Sequence, residues 1–182
     1  MAPPFTCATG SANRSSGEAH LSARLQGFAP IAARSARILI IGSMPGAMSL
    51  ERAEYYAHPR NAFWDIVGAL FGAEREKSYA TRAKILKANG IAVWDVLDAC
   101  VRPGSLDADI RDAEPNDFAA FFAKHRHVER IAFNGGAAAK LFRRHVEAPL
   151  DISLIQLPST SPAHAARSFK EKCAAWRRAL KP

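Results

Sequence analysis

Residues 42 to 64 combine a tight glycine-proline loop with a block of aromatic, cationic and amide side chains. The loop reads Gly42-Ser43-Met44-Pro45-Gly46, and the block reads YYAHPRNAFW, from Tyr55 to Trp64. Aromatic rings stack on planar groups and cations contact phosphates, and no folding requirement concentrates such side chains in a surface loop. The pattern indicates a site for a planar ligand on a charged backbone, most simply a nucleic acid base.

The glycine loop by itself allows two interpretations. Its two glycines let the backbone approach a ligand closely, and Pro45 fixes the turn, as in a cradle for a phosphate or a base. A plain turn between a strand and a helix would look the same. The loop lacks the Lys-Ser/Thr pair of a nucleoside-triphosphate site and the spacing of a dinucleotide fingerprint, which excludes both of those sites.

The elements that must position these residues follow from four short apolar runs, at 37–41, 90–94, 130–133 and 152–157. Such runs predict buried parallel strands. Spacings of 3.6 residues predict helices at 63–71, 118–122 and 168–180, with Trp176 of the last helix in the core. The sequence therefore predicts an α/β fold, a three-layer α/β/α sandwich around a short, mainly parallel four-stranded sheet.

Ligands of such sheets bind outside the carboxyl ends of the strands. The loops at 42–64, 95–106, 134–138 and 157–164 should therefore hold the site, and the unusual residues lie in these loops.

Composition and charge narrow the class of partner. The chain has 182 residues, 48% of them apolar and 23% charged, as in an ordinary globular domain. Its formal charge of +8 favours a polyanionic partner such as DNA or RNA, although a merely basic surface explains the charge equally well. No run approaches the roughly 18 apolar residues of a membrane helix. We expect a monomer with no membrane partner.

The domain organisation is expected to be simple. Residues 1–24 consist mostly of small and polar residues without periodicity, which predicts a disordered leader, and residues 25–182 are expected to form one domain. A transit peptide or a start codon placed too early would give the same leader. The chain has three cysteines, Cys7, Cys100 and Cys173, and their spacing matches neither a disulfide framework nor a metal site. We therefore expect no metal and no cofactor. The expected location is the cytoplasm, in association with the nucleoid if the protein is bacterial.

Four motifs together resemble a known family. The GSMPG loop is followed by HPRNAFW, then by FNG at residues 133–135 and LPSTSPA at residues 157–163. In order and spacing they resemble the uracil-DNA glycosylase superfamily, closest to its hypoxanthine-DNA (deoxyinosine) glycosylase branch, over residues 25 to 180. The resemblance implies a monofunctional repair enzyme that hydrolyses the N-glycosidic bond of a deaminated base in DNA, with hypoxanthine as the favoured base. Uracil or xanthine specificity, a non-catalytic lesion-binding protein and a small-nucleotide hydrolase remain alternatives.

The resemblance also implies roles for residues that contact the base. Met44 stands where most relatives have a polar catalyst, and a thioether orients water poorly, so Asn61 is the expected catalytic residue. Tyr56 would stack on the extruded base, and Asp95 would accept the N1–H of hypoxanthine, a donor that adenine lacks. Asn134, Ser43 and Met44 complete the predicted base-binding set.

A second group is expected to contact the DNA backbone, and it consists of Gly46, His58, Gly135, Ser159, Ser161 and His164. Pro162-Ala163 stands where relatives often have a leucine wedge, so base extrusion would depend on weakly paired lesions.

Several structural alternatives stay open for these residues. Asn61 could tie its loop together, Tyr55 or Tyr56 could pack on the sheet, and Asn134 could cap a helix. Asp95 or Asp98 could pair with Arg102.

Overall fold

The computed structural model describes residues 24–181. In chain order its elements are β1 (Arg24–Gln26), β2 (Ile38–Gly42), α1 (Ala47–Arg52), α2 (Phe63–Phe71), α3 (Tyr79–Ala88), β3 (Ile91–Asp95), β4 (Leu97–Val101), a short 3-10 helix (Asp107–Asp109), β5 (Arg111–Pro115), α4 (Phe118–Lys124), β6 (Arg130–Asn134), α5 (Gly136–His145), β7 (Ser153–Leu157) and α6 (Phe169–Leu180).

The central sheet contains the four strands that the apolar runs predict. Its order is β3-β2-β6-β7 and every pair is parallel, with Ile38 of β2 level with Ile91 of β3 and Arg130 of β6. All residues of β2 and β3 are buried, which explains why both strands are apolar without alternation until β3 ends in Asp95. The predicted α/β fold with a parallel four-stranded sheet flanked by helices is confirmed.

The strand order fixes where a ligand can bind. From β2 the chain crosses to β3 on one side of it and later to β6 on the other, so the order reverses around β2. Loops that leave parallel strands in opposite directions open a crevice at their carboxyl ends. The loops after β2, β3, β6 and β7 therefore meet at one edge of the sheet.

A second sheet was not predicted from the sequence. It is antiparallel with the order β1-β4-β5, and β4 begins two residues after β3 ends. Residues 1–23 of the expected leader lie outside the described part of the chain. Arg24, which the prediction places in that leader, begins β1 opposite Val101 and pairs with Glu114.

The helices follow the apolar and capping patterns. Asp117 caps α4 by accepting a hydrogen bond from Ala120 N, and Ser168 caps α6 in a capping box with Glu171. Phe63 of α2 and Trp176 of α6 are both fully buried, with ring centroids 5.9 Å apart. Trp176 is therefore a core residue, as expected. No helix within residues 24–181 is long and apolar enough to cross a membrane.

Candidate active site

A cavity of about 180 Å³ lies at the carboxyl ends of β2, β3 and β6. A cavity of this volume suits a small planar ring system. Ten of the twelve residues predicted for the site line it: Ser43, Met44, Gly46, Tyr56, His58, Asn61, Asp95, Asn134, Ser159 and Ser161. The other two, Gly135 and His164, line a neighbouring groove.

Asp95 forms a buried acidic end of the cavity. Its side chain sits above Gly42, where a β-carbon would collide with Oδ1. Oδ2 is buried and has no hydrogen-bond partner within residues 24–181. Burial, and secondarily the charge of Asp107, raise the pKa of Asp95 from 3.8 to about 7, although Arg102 acts in the opposite direction. A carboxyl group of this kind can carry a charge at neutral pH and has an acceptor free for a ligand.

Arg102 does not brace Asp95 or Asp98, contrary to the alternative drawn from the sequence. Its Nη1 lies 3.7 Å from Oδ1 of Asp107, and its Nη2 donates to the carbonyl of Pro45 at 2.5 Å. The guanidinium thus connects the loop after β4 to the glycine loop after β2.

Ser105 and Asp107 strengthen the same connection, and sequence reasoning missed both. Ser43 Oγ donates to Asp107 Oδ1 at 2.6 Å, and Ala47 N donates to Ser105 Oγ at 2.8 Å. Both residues line the cavity. The only sequence signal was their position in or just after the loop predicted at 95–106.

The two adjacent tyrosines have different environments. Tyr55 is 2% exposed, and its hydroxyl donates to the carbonyl of Phe28 at 3.4 Å, so it is the tyrosine that packs into the core. Tyr56 has a left-handed backbone with φ of 56° and stacks on Phe63, with ring centroids 4.0 Å apart. Phe63 covers one face of the Tyr56 ring, so a base could stack only on the other.

Asn61 has both a structural contact and a free amide nitrogen. Its Oδ1 accepts a hydrogen bond from Phe63 N at 3.1 Å, at the start of α2. Its carbonyl accepts from Arg75 at 2.6 Å, and its backbone N donates to the carbonyl of His58 at 2.9 Å. The side-chain Nδ2 makes no hydrogen bond to the described residues, and Asn61 is one of the residues that line the cavity. The structural alternative and the expected role therefore use different atoms of the residue.

Asn134 joins two of the loops rather than capping a helix. Its Nδ2 donates to Thr160 Oγ1 and its Oδ1 accepts from Thr160 N, both at 2.8 Å. The residue that precedes α5 is Gly135, with φ of 100°. A β-carbon at Gly135 would lie 2.8 Å from Cβ of Ser159, so glycine is required for the two loops to meet.

The loop from Pro158 to His164 is held at both ends by α6. Trp176 Nε1 donates to the carbonyl of Pro158 at 3.0 Å, and Lys172 Nζ donates to the carbonyl of His164 at 2.7 Å. Within the loop, Ser159 Oγ accepts from Ser161 N at 3.2 Å, so this hydroxyl keeps its hydrogen for another acceptor. The loop is therefore pre-organised for contacts with an external acceptor such as a phosphate oxygen.

A cationic groove of about 570 Å³ adjoins the cavity and shares Ser159 with it. Its lining includes Gly135 at the start of α5, together with His164, Arg167 and Arg178. Neither arginine forms a salt bridge with any residue in 24–181. Free backbone N–H groups at a helix start and unpaired guanidinium groups both favour phosphate.

The described residues contain no group of three or more His, Cys, Asp or Glu side chains that could hold a metal ion. Cys100 and Cys173 are free thiols, and Cys7 lies outside the described residues.

The fold and the cavity define an α/β protein with a ligand site at the switch point of a parallel sheet. The family model of the uracil DNA glycosylase superfamily matches residues 29–181. The chain belongs to this superfamily of DNA glycosylases, as its motifs indicated.

Individual relatives agree with this family. A hypoxanthine DNA glycosylase of Methanosarcina barkeri is 33% identical over 157 residues, which cover 86% of this chain and 98% of the relative. A hypoxanthine DNA glycosylase of Methanosarcina acetivorans is 37% identical over 116 residues, which cover 63% of this chain and 73% of the relative. A solution NMR structure of a candidate uracil DNA glycosylase from Methanosarcina acetivorans superimposes with a TM-score of 0.71 at 33% identity, covering 88% of this chain and 100% of that one.

Proposed function

We propose that this protein is a monofunctional hypoxanthine-DNA glycosylase, which hydrolyses the N-glycosidic bond of deoxyinosine in DNA. The observation that carries the proposal is the Asp95 carboxyl group, buried in a cavity of base size with Oδ2 unpartnered among residues 24–181. The names of the two Methanosarcina relatives support the same base.

The carboxylate distinguishes bases by the hydrogen at N1. Ionised Asp95 accepts hydrogen bonds and donates none. Hypoxanthine carries a hydrogen on N1 and can donate it to Oδ2, whereas N1 of adenine is itself an acceptor and would face a negative charge. A charge-assisted hydrogen bond in a buried site is stronger than a neutral one, so the correct base is held and the normal purine rejected.

Asn61 supplies the polar group that the glycine loop lacks. Met44 lines the cavity but offers no strong hydrogen-bond donor or acceptor. The Nδ2 of Asn61 would hold a water molecule or the sugar while the bond to the base breaks and positive charge develops on the sugar. Water then supplies the oxygen of the new C1′ hydroxyl group, and its proton leaves with the base or to solvent. Nearby DNA phosphates stabilise the sugar cation.

The remaining site residues would bind rather than react. Tyr56 stacks on the base through the ring face that Phe63 leaves open, and Ser159 and Ser161 donate to phosphate oxygens. No lysine lines the described cavity, so an amine nucleophile is not part of the proposal and water is the attacking group.

The test is an excision assay on a panel of duplexes that each carry one hypoxanthine, uracil or xanthine, followed by alkali to cleave abasic sites. We expect cleavage at hypoxanthine above both other bases. Faster cleavage at uracil or xanthine would overturn the proposed preference for hypoxanthine, and the protein would still be a DNA glycosylase. An absence of abasic product from all three duplexes, with DNA binding intact, would identify a lesion-binding protein instead.

A further inference from the structure

Two residues of the cavity, Tyr56 and Asp95, each have a buried polar atom without a partner among the described residues, and both side chains approach Gly42. Within residues 24–181, neither the Tyr56 hydroxyl nor Oδ2 of Asp95 has a hydrogen-bond partner. A β-carbon on Gly42 would lie 3.0 Å from the Tyr56 hydroxyl oxygen and would collide with the other carboxyl oxygen of Asp95. Buried polar atoms in folded proteins nearly always have partners. Two such atoms on residues that line the same cavity indicate that a ligand supplies the partners.

The backbone and the ring of Tyr56 are fixed so that the hydroxyl approaches Gly42. Its φ of 56° is unfavourable for a residue with a β-carbon, and such conformations persist where the surroundings impose them, commonly at functional sites. The ring is stacked on Phe63 at 4.0 Å and 22°. The backbone N of the preceding residue, Tyr55, donates to the Tyr79 hydroxyl at 3.2 Å.

The hydroxyl is a donor beside an acceptor. Burial first, and the nearby Asp95 charge second, raise the pKa of the Tyr56 hydroxyl, so it keeps its proton at neutral pH. The neighbouring Asn134 amide acts on this pKa in the opposite direction, but its geometry gives no hydrogen bond to the hydroxyl. The adjacent carboxylate can only accept. The pair is therefore complementary to a ring edge on which an N–H stands next to a carbonyl oxygen.

We propose that the Tyr56 hydroxyl donates a hydrogen bond to O6 of the extruded hypoxanthine while Asp95 accepts the N1–H. This role rests on the proposed function and makes Tyr56 a specificity-determining residue. It takes the place of the stacking contact named there, because a base lying flat on the Tyr56 ring would hold its in-plane O6 lone pairs parallel to that ring and away from the hydroxyl. Adenine is mismatched at both atoms, since it has an acceptor at N1 and an amino group at C6.

The experiment compares two bases that differ at one atom. Duplexes carrying hypoxanthine or 6-thiohypoxanthine both present N1–H, but a thiocarbonyl sulfur is a poor acceptor. Tyr56→Phe removes the hydroxyl and retains the stack on Phe63. We expect the variant to excise hypoxanthine about tenfold more slowly and to leave excision of the thio base nearly unchanged. Thr81→Val, which removes an exposed hydroxyl of α3 outside the cavity, is the control and should keep the wild-type ratio between the two bases.

A binding measurement makes the inference independent of turnover. Fluorescence anisotropy with duplexes whose 2′-fluoro nucleotides resist hydrolysis should show the same selective loss in Tyr56→Phe. If the wild type excises neither base, the proposed function fails while the binding ratio still tests Tyr56. The inference is overturned if Tyr56→Phe weakens both bases equally, or neither, in protein whose melting temperature matches the wild type.

Discussion

Arg102 forms its ion pair with Asp107, across 3.7 Å, and none with Asp95. The pairing leaves the Asp95 carboxyl group without a counter-ion in direct contact within residues 24–181, although it is only 3% exposed. Asp107 also adds a second negative charge near the cavity, and this charge raises the pKa of Asp95 further. The arrangement keeps an acceptor free for a ligand, at the expense of stability.

The first prediction concerns the pH dependence of base excision. The pKa of Asp95 is raised to about 7, and only the ionised form accepts from N1–H without donating. Hypoxanthine excision should therefore increase as pH rises through about 7 and level off above about pH 8. Asp95→Asn should abolish this dependence and lower excision about tenfold at high pH, because a neutral acceptor replaces a charged one. Single-turnover rates across this range provide the measurement, and a pH profile that Asp95→Asn leaves unchanged would contradict the role of Asp95.

The second prediction follows from the same pKa and concerns stability. Between about pH 4 and pH 7 folded protein keeps the Asp95 proton that the unfolded chain releases, so the contribution of Asp95 to the free energy of unfolding falls as pH rises. Asp95→Asn removes this penalty. Its advantage over the wild type should grow from pH 4 to pH 7 and then stay constant, with an upper limit of about 4 kcal/mol at about 1.4 kcal/mol for each unit of pKa difference.

Urea unfolding at pH 5 and pH 8 measures this difference. Asp98→Asn serves as the control, because Asp98 is a half-buried aspartate of β4 that does not line the cavity. Equal effects of Asp95→Asn at the two pH values would show that Asp95 is not protonated in the folded protein.

Three strands of the central sheet, β2, β3 and β6, could be predicted because each contains a continuous apolar run that burial on both faces requires. The fourth, β7, is mostly exposed and is recognisable from its Leu and Ile residues alone. The second sheet could not be predicted. β5 reads RDAEP and all five of its residues are half-buried or exposed, so neither apolar alternation nor a buried run marks it. Its position depends on pairing with β4, a contact between segments that carry no local signal.

The candidate site, like the fold, could be predicted from the sequence only in part. The loops could be located because parallel strands deliver their carboxyl ends to one edge, and the chemistry-bearing residues follow those strands. The partner of Arg102 could not be predicted, since it depends on how the loop after β4 folds back on the glycine loop. The backbone of Tyr56 was equally hidden, because nothing in a Tyr-Tyr pair indicates which ring adopts a positive φ.

The third prediction separates the two roles of Asn61. Asn61→Ala removes the acceptor for Phe63 N as well as the free amide nitrogen, so it should lower stability by about 1 kcal/mol and excision by about a hundredfold or more. Asn61→Ser keeps an oxygen that can accept from the start of α2. It should recover most of the stability and none of the activity, with lesion binding retained in both variants. Full recovery of excision by Asn61→Ser would contradict the role given to the free amide nitrogen.

The last prediction concerns the cationic groove and the DNA backbone. Arg167 and Arg178 line the groove and have no acidic partner within residues 24–181, so they are free to bind phosphates. The double variant Arg167→Gln/Arg178→Gln should weaken binding equally for damaged and undamaged duplexes. The logarithm of the DNA-binding constant falls linearly with the logarithm of the salt concentration. The double variant should make this slope shallower by about 0.9 for each phosphate that it no longer neutralises. Arg143→Gln, an exposed residue at the opposite end of α5, is the matched control and should leave the slope unchanged. An unchanged slope in the double variant would place the DNA backbone elsewhere on the surface. A loss of affinity confined to duplexes with hypoxanthine would mean that the arginines act on the base and not on phosphate.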